Sequence, residues 1–262
     1  MLGIVNVTPN SFSDGGKFIE RPRAIEHALR LAEEGADLVD VGGESTRPGA
    51  EPVPASEELD RVMPVVEALV ANGVAVSVDT MKPEVMRAAI DAGCAVVNDV
   101  NAFRAPGALE AVAQGKVGVI AMHMQGTPAT MQQAPHYDDV VAEVASYLHE
   151  RARALEAAGV DHDAIVLDPG FGFGKTLEHN LALFRAMPVL TQMGYPILAG
   201  VSRKRMIGEI TGRALEERVA GSVAAALLAV QNGARLVRVH DVRETVDALR
   251  VWRAIENSEN EA

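Results

Sequence analysis

The sequence predicts an α/β fold: a single (β/α)8 TIM barrel over residues 1–262, with its active site at the C-terminal ends of the strands. Three observations predict it. Eight short apolar runs alternate with helical patterns. Those runs are near-continuous rather than alternating, as in parallel strands covered on both faces. The length, 262 residues, suits one barrel, and no linker, low-complexity tract or charge block divides the chain. A doubly wound sheet is the main rival. Its dinucleotide-binding version would carry GxGxxG after the first strand, and this chain has none there.

The predicted strands fall at 2–7, 37–42, 74–79, 95–98, 117–123, 164–168, 196–201 and 235–240. Helical patterns follow at about 20–35, 56–72, 83–93, 107–115, 138–159, 176–194, 214–233 and 242–256. Glu33-Glu34-Gly35 ends the first helix, Ala92-Gly93 the third and Ala158-Gly159 the fifth, with glycine just past the last turn. Lys82-Pro83 opens the third helix, with proline in a first turn that has no hydrogen bond to lose there. One helix after each of eight strands is the barrel count.

Hydrophobic residues make up 48% of the chain, enough for a large core, while aromatics at 4% suit layered helix–sheet packing better than a β-sandwich. The net charge of -12 argues against general binding to nucleic acid or to an anionic membrane, yet permits a local basic pocket. A lone cysteine, Cys94, excludes an intrachain disulfide framework and makes a reducing cytoplasm the expected compartment. Cys94 itself reads as a small core residue. No apolar run approaches the ~18 residues of a membrane span. The opening MLGIVNVTPNSF lacks the basic region and cleavage site of a signal peptide, and the tail NSENEA reads as frayed.

In a barrel all strand C-termini meet at one face. Here those ends carry Asn6, Asp40, Asp79, Asn98, His123, Asp168, the Ser202-Arg203-Lys204 cluster, and Arg238 with His240. Each alone could cap the following helix. Their convergence points to an active site. Asp79, Asp168, Asn6 and Asn98 can read a heterocycle with several donors and acceptors. Arg238, His240 and Lys204 can hold an anion, and arginine suits phosphate best.

The stretch AIVLDPGFGFGKT, residues 164–176, resembles a Walker A loop at its end, but that motif needs glycine five positions before Gly174 and finds Pro169. Two long loops, NVTPNSFSDGG and GGESTRPG, have the character of lids or binding loops. His123 could touch a ligand or cap the next helical region through Gln125 and Gly126, and the residues leave both open. His27, His136, His149, His162 and His179 read as surface residues. No HxH or HExxH spacing suggests zinc.

NVTPNSFSDGG, DVGGESTRPGA, SVDT, NDV, MHMQGTP, LDPGFGFGKT, GVSRKRMIG and RVHD occur in this order from Leu2 to about Glu256. Together they resemble the dihydropteroate synthases, pterin-binding enzymes of folate biosynthesis and targets of sulfonamide inhibitors. The resemblance implies that 6-hydroxymethyl-7,8-dihydropterin pyrophosphate and p-aminobenzoate condense to 7,8-dihydropteroate and pyrophosphate. It implies that Asp79, Asn98, Met122, Asp168, Gly200 and Lys204 hold the pterin. Thr46, Arg47, Pro48, Phe173, Ser202 and Lys204 would surround p-aminobenzoate. Asn6, Thr46, Arg238 and His240 would hold pyrophosphate, with Mg2+ bridging it to Asn6. A homodimer is expected through late helices such as 214–233, whose GSVAAALLAV segment could also simply be buried.

The implied chemistry fits these side chains. Breaking a C–O bond to pyrophosphate needs charge neutralisation at the leaving group, from Arg238, His240 and a divalent ion. Positive charge then spreads into the dihydropterin, where Asp79 and Asp168 would stabilise it, so an SN1-like substitution is expected. The catalytic set is therefore Asp79, Asp168, Lys204, Arg238 and His240. Two departures stand out: position 10 is Asn where Asp is common, and little chain precedes the first strand, so the barrel floor is expected to be poorly plugged or the start truncated. A methyltetrahydrofolate-dependent corrinoid methyltransferase and a non-catalytic pterin-binding paralogue are the alternatives.

Overall fold

Eight parallel strands wind around a barrel in the computed structural model, which describes residues 1–8, 16–46 and 49–257. They are β1 (Leu2–Asn6), β2 (Leu38–Gly42), β3 (Val76–Asp79), β4 (Val96–Asp99), β5 (Gly118–Met122), β6 (Ile165–Asp168), β7 (Leu198–Ala199) and β8 (Leu236–Val239). Their order is β6-β5-β4-β3-β2-β1-β8-β7, and a parallel bridge from Leu167 to Ile197 joins the two ends of the series. The expected (β/α)8 barrel is the observed one.

The α-helices among the described residues are α1 (Gly16–Glu33), α2 (Ala55–Ala71), α3 (Pro83–Asp91), α4 (Ala108–Gly115), α5 (Val140–Ala157), α6 (Leu177–Arg185), α7 (Met187–Leu190), α8 (Arg205–Thr211), α9 (Val219–Gln231) and α10 (Val242–Asn257). Two regions differ from expectation. The single helix foreseen at 176–194 breaks at Ala186, because Pro188 cannot donate into a continuous helix. The short α8, ended by Gly212, precedes α9; its seven residues give periodicity too little length to register.

Strand parity builds the barrel. Leu2, Leu38, Val96, Ile120, Val166, Leu198 and Leu236 form an inner apolar cluster of their own. Their neighbours one position along, including Val39, Val97, Val119, Ile165, Leu167, Ala199 and Val237, pack outward into the main core beneath the helices. Both faces are apolar at this level, which is why the strands read as continuous hydrophobic runs. Cys94 lies in the outer core, as expected, and burial pushes its thiol up to about 11.

Candidate active site

One step of two residues above the inner apolar cluster, the same inward faces turn polar. Leu38 gives way to Asp40, Val96 to Asn98, Val166 to Asp168 and Leu236 to Arg238, while β3 contributes Ser77 and Asp79. Pairing aligns Asp79 with both Gly42 and Asn98, and Met122 with Asp168. A polar layer thus sits on an apolar floor inside the barrel. Such a layer disfavours free charge unless charges meet.

Arg238 meets two of them. Its Nε donates to Asp40 Oδ2 at 2.6 Å and one Nη to Asp79 Oδ2 at 2.9 Å. Asn98 Nδ2 donates to the same Asp40 oxygen at 3.3 Å. Burial opposes the arginine's charge, but Asp40 and Asp79 outweigh it and hold Arg238 above its ordinary range. One cation cannot satisfy two carboxylates fully. Burial therefore prevails at Asp79 and raises its pKa to about 7, against the pull of Arg238. Among the described residues, Asp40 Oδ1 and Ser77 Oγ are buried without a hydrogen-bond partner.

Across the barrel, Asp168 is also raised by burial, opposed by Lys204 and by the Gly170 N–H that donates to its Oδ1 at 2.7 Å. Burial pulls Lys204 down to about 8, with Asp168 resisting. The Lys204 ammonium donates to the Phe171 carbonyl and lies 4.6 Å from the centre of the Phe173 ring. A side chain at Gly200 would sit 3.7 Å from Lys204 Nζ and 3.8 Å from Asp168 Oδ2, so glycine keeps this corner open. Phe173 packs with Met122 in a methionine-rich cluster that also holds Val100, Met124 and Met131.

At the β7–β8 side, Ser202 Oγ lies 3.0 Å from His240 Nδ1 and accepts from the His240 N–H at 3.1 Å. Ser202 thus orients His240. Arg203, next to it, has φ +54 and forms a two-pronged ion pair with Asp241. Asn6 and Thr46 are half-buried at the ends of β1 and of the turn after β2. Arg47, Pro48 and Asn10 lie outside the described residues, as does most of the first loop.

Three features escaped the sequence reading. Asp40 emerges as the main partner of Arg238, a pairing across 198 residues that no local pattern reveals. Lys82 is bound by Glu44, at the base of the second loop, and by the fully buried Glu58 of α2. His123 has partners that neither foreseen role named: it is buried, packs edge-on to Tyr147 and bonds through Nδ1 to Lys175 Nζ at 2.9 Å. Burial and the adjacent Lys175 pull His123 down to about 3, so it is neutral. His27 and His179 are half-buried rather than surface residues, and His179 closes the capping box that opens α6.

The profile of the pterin binding enzyme family matches residues 2–240. Dihydropteroate synthase of Escherichia coli K12 is 49% identical over 255 residues, covering 97% of this chain and 90% of that protein. Among solved structures, Xanthomonas albilineans dihydropteroate synthase with 4-aminobenzoic acid superposes with a TM-score of 0.93 at 60% identity, and its complex with 7,8-dihydropteroate at 0.89 and 57%, each covering 97% of this chain and 92% of that one. The Yersinia pestis enzyme, solved with a sulfonamide drug complex, gives 0.93 at 46% identity, covering 98% and 94%. Likeness at this level over nearly the whole length leaves one conclusion: the chain belongs to the pterin-binding enzyme family, among the dihydropteroate synthases.

Proposed function

We infer that this barrel condenses 6-hydroxymethyl-7,8-dihydropterin pyrophosphate with p-aminobenzoate, releasing pyrophosphate and forming 7,8-dihydropteroate. The observation that carries the reading is the polar inner layer, with Asp79 at the end of β3 and Asp168 at the end of β6, above an apolar inner cluster. Pterin would enter edge-first, its donors and acceptors met by Asp79, Asn98, Asp168 and Lys204, with Met122 and Gly200 leaving room for the flat ring. Phe173 and Ser202, with Thr46, Arg47 and Pro48 from the second loop, would flank p-aminobenzoate. Asn6, Thr46, Arg238 and His240 would take pyrophosphate.

The C–O bond breaks towards pyrophosphate, and the aniline nitrogen forms the new C–N bond and loses a proton. Negative charge grows where Arg238 and His240 sit, and positive charge grows in the pterin between Asp79 and Asp168. Fixed charges in a water-poor pocket stabilise both. The expected substitution is accordingly SN1-like.

Among the described residues, no group of three or more His, Cys, Asp or Glu side chains gathers as metal ligands. Asn6, half-buried at the end of β1, offers a neutral amide oxygen at this mouth. That donor set suits Mg2+ arriving with pyrophosphate, since Mg2+ keeps water and takes phosphate oxygens in preference to a protein cage. When bound there, Mg2+ would neutralise leaving-group charge.

No described helix is long and apolar enough to cross a membrane, and a cytoplasmic enzyme is the reading we favour. A homodimer is proposed through α9. Its buried face carries only Ser222, Ala226 and Ala229, leaving Leu228 half exposed on an otherwise apolar helix. The deciding experiment mixes the purified protein with both substrates and Mg2+ and follows pyrophosphate and dihydropteroate. Pyrophosphate release that requires p-aminobenzoate supports the reading. Methyl transfer from methyltetrahydrofolate to a corrinoid, or pterin binding without turnover, would replace it.

A further inference from the structure

The residue left unexplained by the failed Walker reading is Lys175, whose side chain is buried among the turns of the glycine loop. Its ammonium contacts Gly170 O at 3.0 Å, Phe173 O at 3.0 Å and His123 Nδ1 at 2.9 Å, with His123 O further off at 3.5 Å. Three N–H donors thus find three close acceptors. Burial pulls Lys175 down to about 7, against Asp168, and His123 is neutral; with Lys175 as the donor, His123 Nδ1 accepts and the ring proton sits on Nε2.

This lysine belongs to a wider pattern. Every carbonyl from Gly170 to Gly174 accepts a side-chain hydrogen bond. Lys175 takes those of Gly170 and Phe173, Lys204 that of Phe171, Gln132 Nε2 that of Gly172 at 2.6 Å, and Tyr137 OH that of Gly174 at 2.8 Å. Glycines 170, 172 and 174 all have positive φ, so every second residue turns the chain where a side chain would resist. The first is obligatory, because a Cβ there would lie 1.9 Å from the His123 carbonyl oxygen. Lys175 grips this loop from the buried side, and Lys204 touches it from the pocket side.

We propose that Lys175 is a positioning residue: it locks the Gly170–Gly174 loop so that Phe173 stands as a fixed wall and the Phe171 carbonyl seats Lys204. Phe173 meets p-aminobenzoate alone, whereas Lys204 and Asp168, whose Oδ1 accepts from the Gly170 N–H, also meet the pterin. Because Asp79 and Asn98 hold the pterin from outside the loop, loss of the lock weakens p-aminobenzoate more than the pterin. The assignment to substrates rests on the site reading above. The lock itself does not.

Two measurements on the full chain separate these. Hydrogen exchange of the ligand-free protein, wild type against Lys175→Met, reads the lock directly. Amides of 170–175 should exchange at least tenfold faster while peptides from β1 to β4 stay within twofold. Unchanged exchange at 170–175 overturns the proposal. Steady-state kinetics should then show the KM for p-aminobenzoate raised at least tenfold and that for pterin pyrophosphate less than threefold. Equal changes in both would also overturn it, since a general loss of structure would move the two together. Phe173→Ala is the control for the site: an unaltered p-aminobenzoate KM in that variant refutes the substrate assignment, and the exchange result still decides the lock. If Lys175→Met does not fold, His123 supplies the test. His123→Asn keeps an acceptor near the Nδ1 position and should leave exchange at 170–175 near wild type, whereas His123→Leu removes it and should accelerate exchange several-fold. Identical behaviour of the two overturns the proposal.

Discussion

Arg238 on β8 reaches past β1 to the fully buried Asp40 on β2, Nε to Oδ2 at 2.6 Å, and extends the same guanidinium to Asp79 on β3. The residue that would face the leaving group is thus also the counter-ion that makes two interior carboxylates tolerable. Removing one member of a buried charge set strands the others, which typically costs 3–5 kcal/mol. Arg238→Met should therefore lower the free energy of unfolding by about that amount, since Asp40 and Asp79 would both lose their cation. Urea unfolding checks this. A loss below about 1 kcal/mol would mean that water already solvates the pair.

The raised Asp79 pKa has opposite signs in stability and in activity. With its pKa moved from 3.8 to about 7, the folded state keeps a proton that the unfolded chain has released. Stability from this group is full below pH 4 and is lost as pH rises through about 7. Asp79→Asn removes that slope and should raise the melting temperature at pH 8 by a few degrees, 1 kcal/mol being worth about 2–4 °C in a domain of this size.

Turnover runs the other way. If ionised Asp79 stabilises the pterin cation, kcat/KM should fall as pH drops below about 7. Asp79→Asn should cut kcat by about a hundredfold or more, the scale of removing one aimed electrostatic group. The wild-type to variant ratio of kcat/KM cancels the titration of the substrates, and it should lose its size on the acid side. A constant ratio from pH 5.5 to pH 9 would exclude this role for Asp79.

Much of this was readable beforehand, for a physical reason. In a parallel barrel both strand faces are apolar low down, so strands stand out as runs, and their C-terminal residues must face one mouth. Asp79, Asn98, Asp168, Lys204 and Arg238 came out of that rule alone. What the rule does not yield is who pairs with whom. Asp40 and Arg238 meet only because β8, β1 and β2 are neighbours, and Arg238 read alone looked like a pure anion ligand. Lys175 was hidden for another reason: its Gly-Lys-Thr context suggests phosphate, and nothing local signals that its ammonium turns inward to carbonyls. Short α8 lacked the length to show a period.

The glycine loop gives a graded test. At Gly170 a methyl group would collide with backbone, 1.9 Å from His123 O, whereas at Gly172 it would meet only the flexible Lys204 Cδ at 3.3 Å. Both positions have positive φ, so both alanines are strained. Gly170→Ala should cost about 3 kcal/mol, the upper end for ordinary single substitutions, and Gly172→Ala about 1 kcal/mol. Thermal unfolding of the two variants should rank them in that order, and the reverse ranking would contradict the contacts described.

Mg2+ and Asn6 can be tested by linkage. If the ion bridges pyrophosphate to the Asn6 amide, chelation with EDTA should weaken pyrophosphate binding to the wild type by about tenfold or more, the scale of a lost metal contact. Asn6→Ala should already be weakened, and EDTA should then have a smaller additional effect, because the two changes remove one interaction. Titration calorimetry of pyrophosphate with and without Mg2+ measures all four corners of the cycle. Fully additive effects would separate Asn6 from the metal.

If Phe173 walls the p-aminobenzoate site, it also sets how a sulfonamide acts. A sulfonamide carries the aniline of p-aminobenzoate, and the Lys204–Phe173 stack at 4.6 Å offers both a cation for the acidic end and a ring face for the aryl group. Inhibition should therefore be competitive with p-aminobenzoate at saturating pterin pyrophosphate. Phe173→Leu keeps an apolar wall but loses the ring face, so it should weaken p-aminobenzoate and sulfonamide by similar factors, about two- to thirteenfold for a stacking loss of about 0.5–1.5 kcal/mol. Parallel Ki and KM shifts would tie drug and substrate to one wall. A shift in one alone would place the two aryl rings on different surfaces of the pocket.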